Sequence, residues 1–203
     1  MLDKYGFNVS RETNKKIIEY IKILEKWNNS INLISKNSQV NIWERHVLDS
    51  AQIWPLLGET RFKKWVDLGS GAGFPGIVLS ILAKDTFPFS KFILIEKDKK
   101  KSEFLNIISK KLDLNFVVYS DRIENLNCLK ADVISARALS SLRNLLFYSK
   151  KHRIKKGVSF FLKGENIFQE IKDVKKSEDF SYTLHPSVTN PKSYIIAIGR
   201  HNE

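Results

Sequence analysis

The residues best suited to chemistry in this chain cluster in one stretch, Val66-Asp67-Leu68-Gly69-Ser70-Gly71-Ala72-Gly73-Phe74-Pro75-Gly76. It reads as a short apolar strand ending in an acid, then a glycine-rich turn, then a helix opened by Pro75. Glycine lets a backbone turn tightly and lets a ligand come close to main-chain N–H groups. Pro75 suits the first helical turn, where its missing N–H costs nothing. A strand, a glycine turn and a helix N-terminus make a nucleotide-binding corner. In open α/β sheets ligands sit at the carboxyl ends of the strands. That rule adds Glu96 after the second strand, Ile123-Glu124 after the third, Arg137 after the fourth and Lys163 after the fifth. Glu96 suits hydrogen bonds to a ribose diol. A backbone N–H at Ile123 or Glu124 suits an adenine edge, with Glu124 pairing to Arg122 or a lysine as the alternative. Arg137 and Lys163 stand at the mouth of the sheet, as cations beside a reacting group or as surface ion pairs.

The elements that must hold these residues follow from periodicity. Ser10 is a candidate N-cap for an amphipathic helix to about Asn28, with Ile17, Tyr20, Ile21, Leu24 and Trp27 at helical spacing. A second helix is expected from about Val40 to Ile53, with Trp43, Val47 and Ala51 on one face. From Lys64 the pattern alternates between strand and helix. Strands are expected at Trp65–Leu68, Phe92–Glu96, Phe116–Ser120, Asp132–Ala136 and Val158–Leu162. Helices are expected at Gly76–Lys84, Lys99–Leu112, Ser140–Lys151 and Asn166–Lys176, with a short turn at Arg122–Leu126. Two last strands, Phe180–His185 and Tyr194–Gly199, have no helix between them. This is an α/β chain: a mostly parallel seven-stranded sheet with an antiparallel edge. Residues 1–60 read as an N-terminal helical extension and 61–203 as the core of a single 1–203 domain.

Composition narrows the class. The chain has 34 Lys+Arg against 22 Asp+Glu, a net charge of +12, which points to a polyanion such as nucleic acid. Lys97, Lys99, Lys100 and Lys101 follow the second strand at the ligand edge. The run Lys150 to Lys156 joins a helix to the fifth strand at the opposite edge and reads as a solvated face. The N-terminus lacks an apolar signal region and no segment is long enough to span a bilayer, so a cytoplasmic protein is expected. Cys128 is alone, which excludes an internal disulfide. Its position before the fourth strand suits a small buried or partly buried residue. His46, His152, His185 and His201 are scattered and show no ligand spacing, so no metal is expected.

Two families share parts of the glycine stretch. Gly71-x-Gly73-x-x-Gly76 matches the dinucleotide fingerprint, but a nicotinamide oxidoreductase would need a substrate domain that this length lacks. Asp67-x-Gly69-x-Gly71-x-Gly73 resembles motif I of the class I S-adenosylmethionine (SAM) methyltransferases, whose Rossmann-like layout the alternation also matches. Further motifs are more specific: Arg45-His46-Val47-Leu48-Asp49-Ser50, Gly73-Phe74-Pro75-Gly76-Ile77, Lys101-Ser102-Glu103-Phe104-Leu105, Ser135-Ala136-Arg137-Ala138 and Leu162-Lys163-Gly164. With the Trp27-Asn28 pair they resemble, over nearly the whole chain, the bacterial glucose-inhibited division protein B family of small-subunit rRNA guanine-N7 methyltransferases. Lys100-Lys101 stands where many members carry Lys-Arg.

The resemblance implies SAM-dependent methylation of N7 of one guanosine in the decoding-region loop of 16S rRNA. It places SAM contacts on Asp67, Gly69, Gly71, Gly73, Phe74, Glu96, Ile123, Glu124 and Arg137. Catalytic roles fall on Arg137 and Lys163, and RNA contacts on Arg45, His46, Lys97, Lys100, Lys101 and Lys163. The partner would be 16S rRNA or the small ribosomal subunit, met by a monomer. Guanine N7 carries an in-plane lone pair, so orientation matters more than a general base. Ser135-Ala136-Arg137 is not the Pro-Pro-aromatic loop of adenine amino methylases, and Cys128 is poorly placed as a nucleophile. The non-enzymatic alternative is a basic RNA-binding or ribosome-assembly protein with a vestigial SAM site.

Overall fold

The computed structural model describes residues 2–199; Met1 and His201 lie outside them. Seven strands form one sheet: β1 (Lys64–Leu68), β2 (Lys91–Ile95), β3 (Phe116–Tyr119), β4 (Ala131–Arg137), β5 (Arg153–Lys163), β6 (Tyr182–Pro186) and β7 (Tyr194–Gly199). Their order is β3-β2-β1-β4-β5-β7-β6. The first five pair in parallel, and β7 runs antiparallel to both β5 and β6. The order reverses between β1 and β4, so the carboxyl ends of these two strands flank the crevice where open α/β sheets bind ligands.

Among the described residues seven α-helical segments accompany the sheet: α1 (Arg11–Asn28), α2 (Lys36–Gln39), α3 (Asp49–Ala51), α4 (Gly76–Thr86), α5 (Lys99–Lys111), α6 (Leu142–His152) and α7 (Ile167–Lys175). The α1, α4 and α5 side chains pack on one sheet face, and those of α6 and α7 on the other. Helix α1 starts where Ser10 Oγ accepts from the Thr13 N–H at 3.0 Å, satisfying an orphan donor of its first turn. It buries Ile17, Tyr20 and Leu24 completely. The Tyr20 hydroxyl donates to the Ala72 carbonyl at 2.6 Å, so this helix props the glycine turn directly. No helix of the described residues is long and apolar enough to cross a membrane.

Three expectations need correction. The segment expected as one helix over 40–53 is instead a π-helical stretch, Trp43–Leu48, running into the single turn α3. Val47 and Ala51 are buried as the periodicity required. The extra residue per turn sends the Asp49 N–H to the Glu44 carbonyl, and the Arg137 guanidinium takes the Arg45 carbonyl at 3.0 Å. Arg153–Lys156, read as a connection, begins β5. Arg153 turns inward there and donates to the Gly157 and Ile198 carbonyls at 2.7 Å each. Cys128 is exposed rather than buried.

Beneath the crevice lies a buried polar relay. Trp65 Nε1 donates to Ser135 Oγ at 2.8 Å, and Ser135 Oγ donates to Asp67 Oδ1 at 2.6 Å. The relay joins β1 to β4 and holds Asp67, fully buried, under the glycine turn. Gly73 shows how tightly this floor is packed. Its φ is +101°, and a Cβ there would meet Ile77 Cδ1 at 2.2 Å and the Tyr20 hydroxyl at 3.1 Å. Gly73→Ala is expected to lower unfolding stability by about 2–4 kcal/mol through backbone strain and overpacking. An unchanged urea midpoint would contradict that.

Candidate active site

The glycine turn is lashed to the end of β2. The Ser70 N–H donates to the Ile95 carbonyl at 2.9 Å. Glu96, nearly buried, accepts from the Gly71 N–H at 2.9 Å with one carboxylate oxygen and from the Asp98 N–H at 2.8 Å with the other. At Gly71 a Cβ would meet nothing closer than 4.0 Å, so any side chain there would enter the open space above the turn. That space is a cavity of about 640 Å³.

The cavity collects most of the expected residues and leaves out others. Gly69, Gly71, Phe74, Glu96, Ile123, Glu124 and Arg137 line it, and so do Arg45, His46, Lys97 and Lys101. Asp67 does not, because it is buried beneath the floor with Ser135. Gly73 faces Ile77 and Tyr20 instead of the cavity. Lys100 lies in the first turn of α5 but is not among the lining residues. Lys163 is pulled away by Glu170, at 2.9 Å, and by the Ser140 carbonyl, also at 2.9 Å. It lines a smaller neighbouring cavity. The Glu124 carboxylate accepts from the Tyr148 hydroxyl, and its carbonyl accepts from Lys151 Nζ at 2.5 Å.

Phe74 joins two lining side chains at one end of the cavity. His46 stacks on its ring with centroids 4.8 Å apart, and the Arg137 guanidinium carbon lies 5.0 Å from its centroid. Arg137 also donates to Asp49 Oδ2 at 3.2 Å. Both partners are largely buried, so each compensates the other's lost hydration. Burial, with Arg137 and Arg45 nearby, pushes the His46 pKa down to about 3. Its two ring nitrogens are buried and make no hydrogen bond. Burial lifts Asp67 to about 6, against the pull of its hydrogen bonds.

These shifts set opposite acid dependences. A histidine held neutral stabilises the fold above its unfolded pKa of about 6.5, and that contribution fades as pH falls toward 3. An aspartate with a raised pKa contributes stability at acid pH that is lost as pH rises through about 6. His46→Phe keeps the stack and removes the first effect. The variant is expected to lose less stability than the parent between pH 6.5 and 4 in urea melts. Parallel curves would contradict the buried neutral histidine.

Some lining positions carry no sequence signal of their own. Leu33, Ile34, Ser35 and Ser38 wall the cavity from the α1–α2 loop. Asn28 shapes that loop: its Oδ1 accepts from the Leu33 and Ile34 N–H groups at 2.9 Å each. The Trp27-Asn28 pair was the available signal. Asp49 is also braced by Gln52 and by Thr189, which donate to its Oδ1 at 2.8 and 3.0 Å. The contact with Thr189 spans most of the chain, and no local pattern could reveal it.

A family model for rRNA small subunit methyltransferase G matches residues 13–194. The chain belongs to the rRNA small subunit methyltransferase G family. It is therefore a SAM-dependent methyltransferase, and the bacterial family named from the motifs is the correct one. A ribosomal RNA small subunit methyltransferase G of Cereibacter sphaeroides is 43% identical over 193 residues, 95% of this chain and 92% of that one. One from Orientia tsutsugamushi is 41% identical over 195 residues, covering 95% and 93%. Among solved structures, a putative O-methyltransferase from Klebsiella pneumoniae shares the fold with a TM-score of 0.62 at 9% identity, covering 98% of this chain and 94% of that one. A ribosomal protein L11 methylase from Lactobacillus delbrueckii gives 0.57 at 16%, covering 75% and 78%. For the rRNA small subunit methyltransferase G fold, the open face of Gly71 and the strand-end Glu96 suit the cofactor: one leaves room at the backbone, the other offers acceptors beside it.

Proposed function

We propose that this chain methylates N7 of one guanosine in the decoding-region loop of 16S rRNA. SAM, when bound, supplies a methyl group on a positively charged sulfur. Glu96 would hold the ribose diol with the lone pairs its two N–H partners leave free. Ile123 would cover the adenine, with Glu124 beside it. Arg137, Phe74 and the glycine turn would hold the methionine end. Asp67 and Gly73 would act from below, by fixing the turn.

The acceptor reading is carried by the protonation chemistry of the cavity. Amino or hydroxyl acceptors must shed a proton, and a useful base has a pKa near the working pH. Among the described lining residues His46 is held near 3, the Tyr148 hydroxyl draws Glu124 below the usual carboxylate range, and Glu96 and Asp121 are each engaged by two N–H donors. Guanine N7 needs no base. The lining holds five cations, Arg45, Lys97, Lys101, Arg122 and Arg137, against three carboxylates, which favours an RNA strand crossing the mouth. The N7 edge is hidden in paired RNA, so the target base would be unpaired or flipped out. Lys100 would meet phosphates from the outer rim, and Lys163 from beside the cavity. The protein would work as a cytoplasmic monomer, one domain whose first 60 residues roof the core.

Nucleoside mass mapping of small-subunit rRNA, from cells lacking this gene and from complemented cells, tests the reading. Loss and return of one 7-methylguanosine is expected. An unchanged map would refute the substrate, and SAM binding without transfer to any RNA would favour the assembly-protein alternative.

A further inference from the structure

A second, smaller cavity of about 240 Å³ adjoins the first and shares Arg137 and Ala138 with it as a common wall. Its other sides come from α3, the end of β5 and the β6–β7 loop. Gly164 leaves its floor open, with nothing within 4 Å of where a side chain would start. Tyr194 stands at one side, half-buried, its ring edge-on to the half-exposed Phe168 at 5.0 Å. Asp49 lines the same cavity.

That carboxylate is built in. Gln52 Nε2 bridges Asp49 Oδ1 and Ser187 Oγ, at 2.8 and 3.1 Å, and Gln52 Oε1 accepts from the Val188 N–H at 2.9 Å. Thr189 donates to the same Asp49 oxygen. Asp49 Oδ2 receives only the one contact from Arg137 at 3.2 Å. It therefore keeps acceptor capacity toward the cavity. Burial raises the Asp49 pKa while Arg137 lowers it.

We propose that this second cavity seats the acceptor guanine, with Tyr194 against the face of the base and Asp49 as the anion facing the charge that N7 methylation creates. The proposal rests on the guanine-N7 reading and assigns it a place and a charge partner. When the methyl–sulfur bond breaks and the N7–methyl bond forms, positive charge passes from sulfur to the purine with no proton moved. A free cation at the ring would oppose that change, but the two cations lining this cavity are each already paired, Arg137 with Asp49 and Lys163 with Glu170. The acceptor capacity that Asp49 Oδ2 keeps favours it. At about 240 Å³ the cavity is of a size for a single base, which suits a flipped-out nucleotide. Tyrosine faces stack nucleobases irrespective of their edges, so Tyr194 supplies affinity and Asp49 supplies the preference for the cationic base.

Binding of mononucleotides to the full chain tests this without turnover. Guanosine 5′-monophosphate and 7-methylguanosine 5′-monophosphate are titrated with S-adenosylhomocysteine saturating the first cavity. The methylated nucleotide is expected to bind about tenfold more tightly, the size of one close, partly screened charge contact. Asp49→Asn is expected to abolish the preference, its fold checked by a cooperative melt. Tyr194→Leu, outside the ion-pair network, is expected to weaken both nucleotides several-fold and keep their ratio. Equal affinities, no saturable binding of either nucleotide, or a preference that survives Asp49→Asn would overturn the proposal. A normal 7-methylguanosine in the rRNA map together with any of those results would leave the substrate reading intact and remove only this seat.

Discussion

Arg137→Met will cut methyl transfer by about 10²–10³-fold, the usual loss when one preorganised donor is removed from a reacting centre. Arg137 is the joint of the site. It ties the carbonyl of Arg45 and the carboxylate of Asp49 to the end of β4, lies over Phe74, and belongs to both cavities. Its loss leaves Asp49 largely buried without its cation, so stability should fall by about 3 kcal/mol as well. The two effects separate in a double variant. Arg137→Met with Asp49→Asn removes the unpaired charge and should recover most of the stability, while activity stays low. Arg137→Lys should not rescue transfer, because a lysine has no planar guanidinium to lie over the Phe74 ring while it donates to Arg45 and Asp49. Wild-type turnover in Arg137→Met, or a double variant that regains activity with stability, would show that Arg137 is structural only.

Glu96→Gln should weaken SAM binding by about 30–100-fold, equivalent to about 2–3 kcal/mol for a buried donor left unpaired. Both Glu96 oxygens accept backbone N–H groups, from Gly71 and from Asp98. A glutamine amide has one acceptor only, and its NH₂ would face an N–H. The change therefore strikes the glycine turn and the start of α5 together, besides the proposed ribose contact. Glu96→Asp should do no better, since the shorter side chain cannot span both donors. Calorimetric titration with SAM reads the effect, and an unchanged dissociation constant would remove Glu96 from the cofactor site.

Much of the fold was legible because its signals are local. Strand and helix alternation follows from residues near in sequence, and all seven strands fall where periodicity put them to within a few residues, except the early start of β5. That strand begins in a basic run because Arg153 finds carbonyl acceptors inside and the lysines face out. The strand-end rule located Glu96, Ile123 and Arg137 correctly at the cavity, since topology alone delivers them there. Lys163, also at a strand end, lines the adjoining cavity instead, as the ion pair that was its alternative. An acid on α7, Glu170, captures the ammonium, and no pattern around Lys163 announces that pairing.

Depth was the harder quantity. Asp67 carries the motif's acid, yet the hydroxyl of Ser135 and the indole of Trp65 hold it under the turn. Cys128 sits in the loop before β4, where its neighbours Leu126 and Leu129 pack on the core while it stays exposed. The π-helical stretch could not be read from periodicity, because the faces of α and π segments coincide over so short a run. Its cause is tertiary: Arg137 competes for the Arg45 carbonyl.

The central claim is that the acceptor atom is guanine N7, and one experiment addresses that atom. Purified full-length protein is incubated with methyl-deuterated SAM and small subunits isolated from cells lacking the gene. A parallel reaction uses subunits reconstituted with 7-deazaguanosine at the labelled position. One deuterated 7-methylguanosine in the first reaction and no label in the second is the result expected. Label on any other atom, or label that persists when N7 is replaced by carbon, would contradict the account.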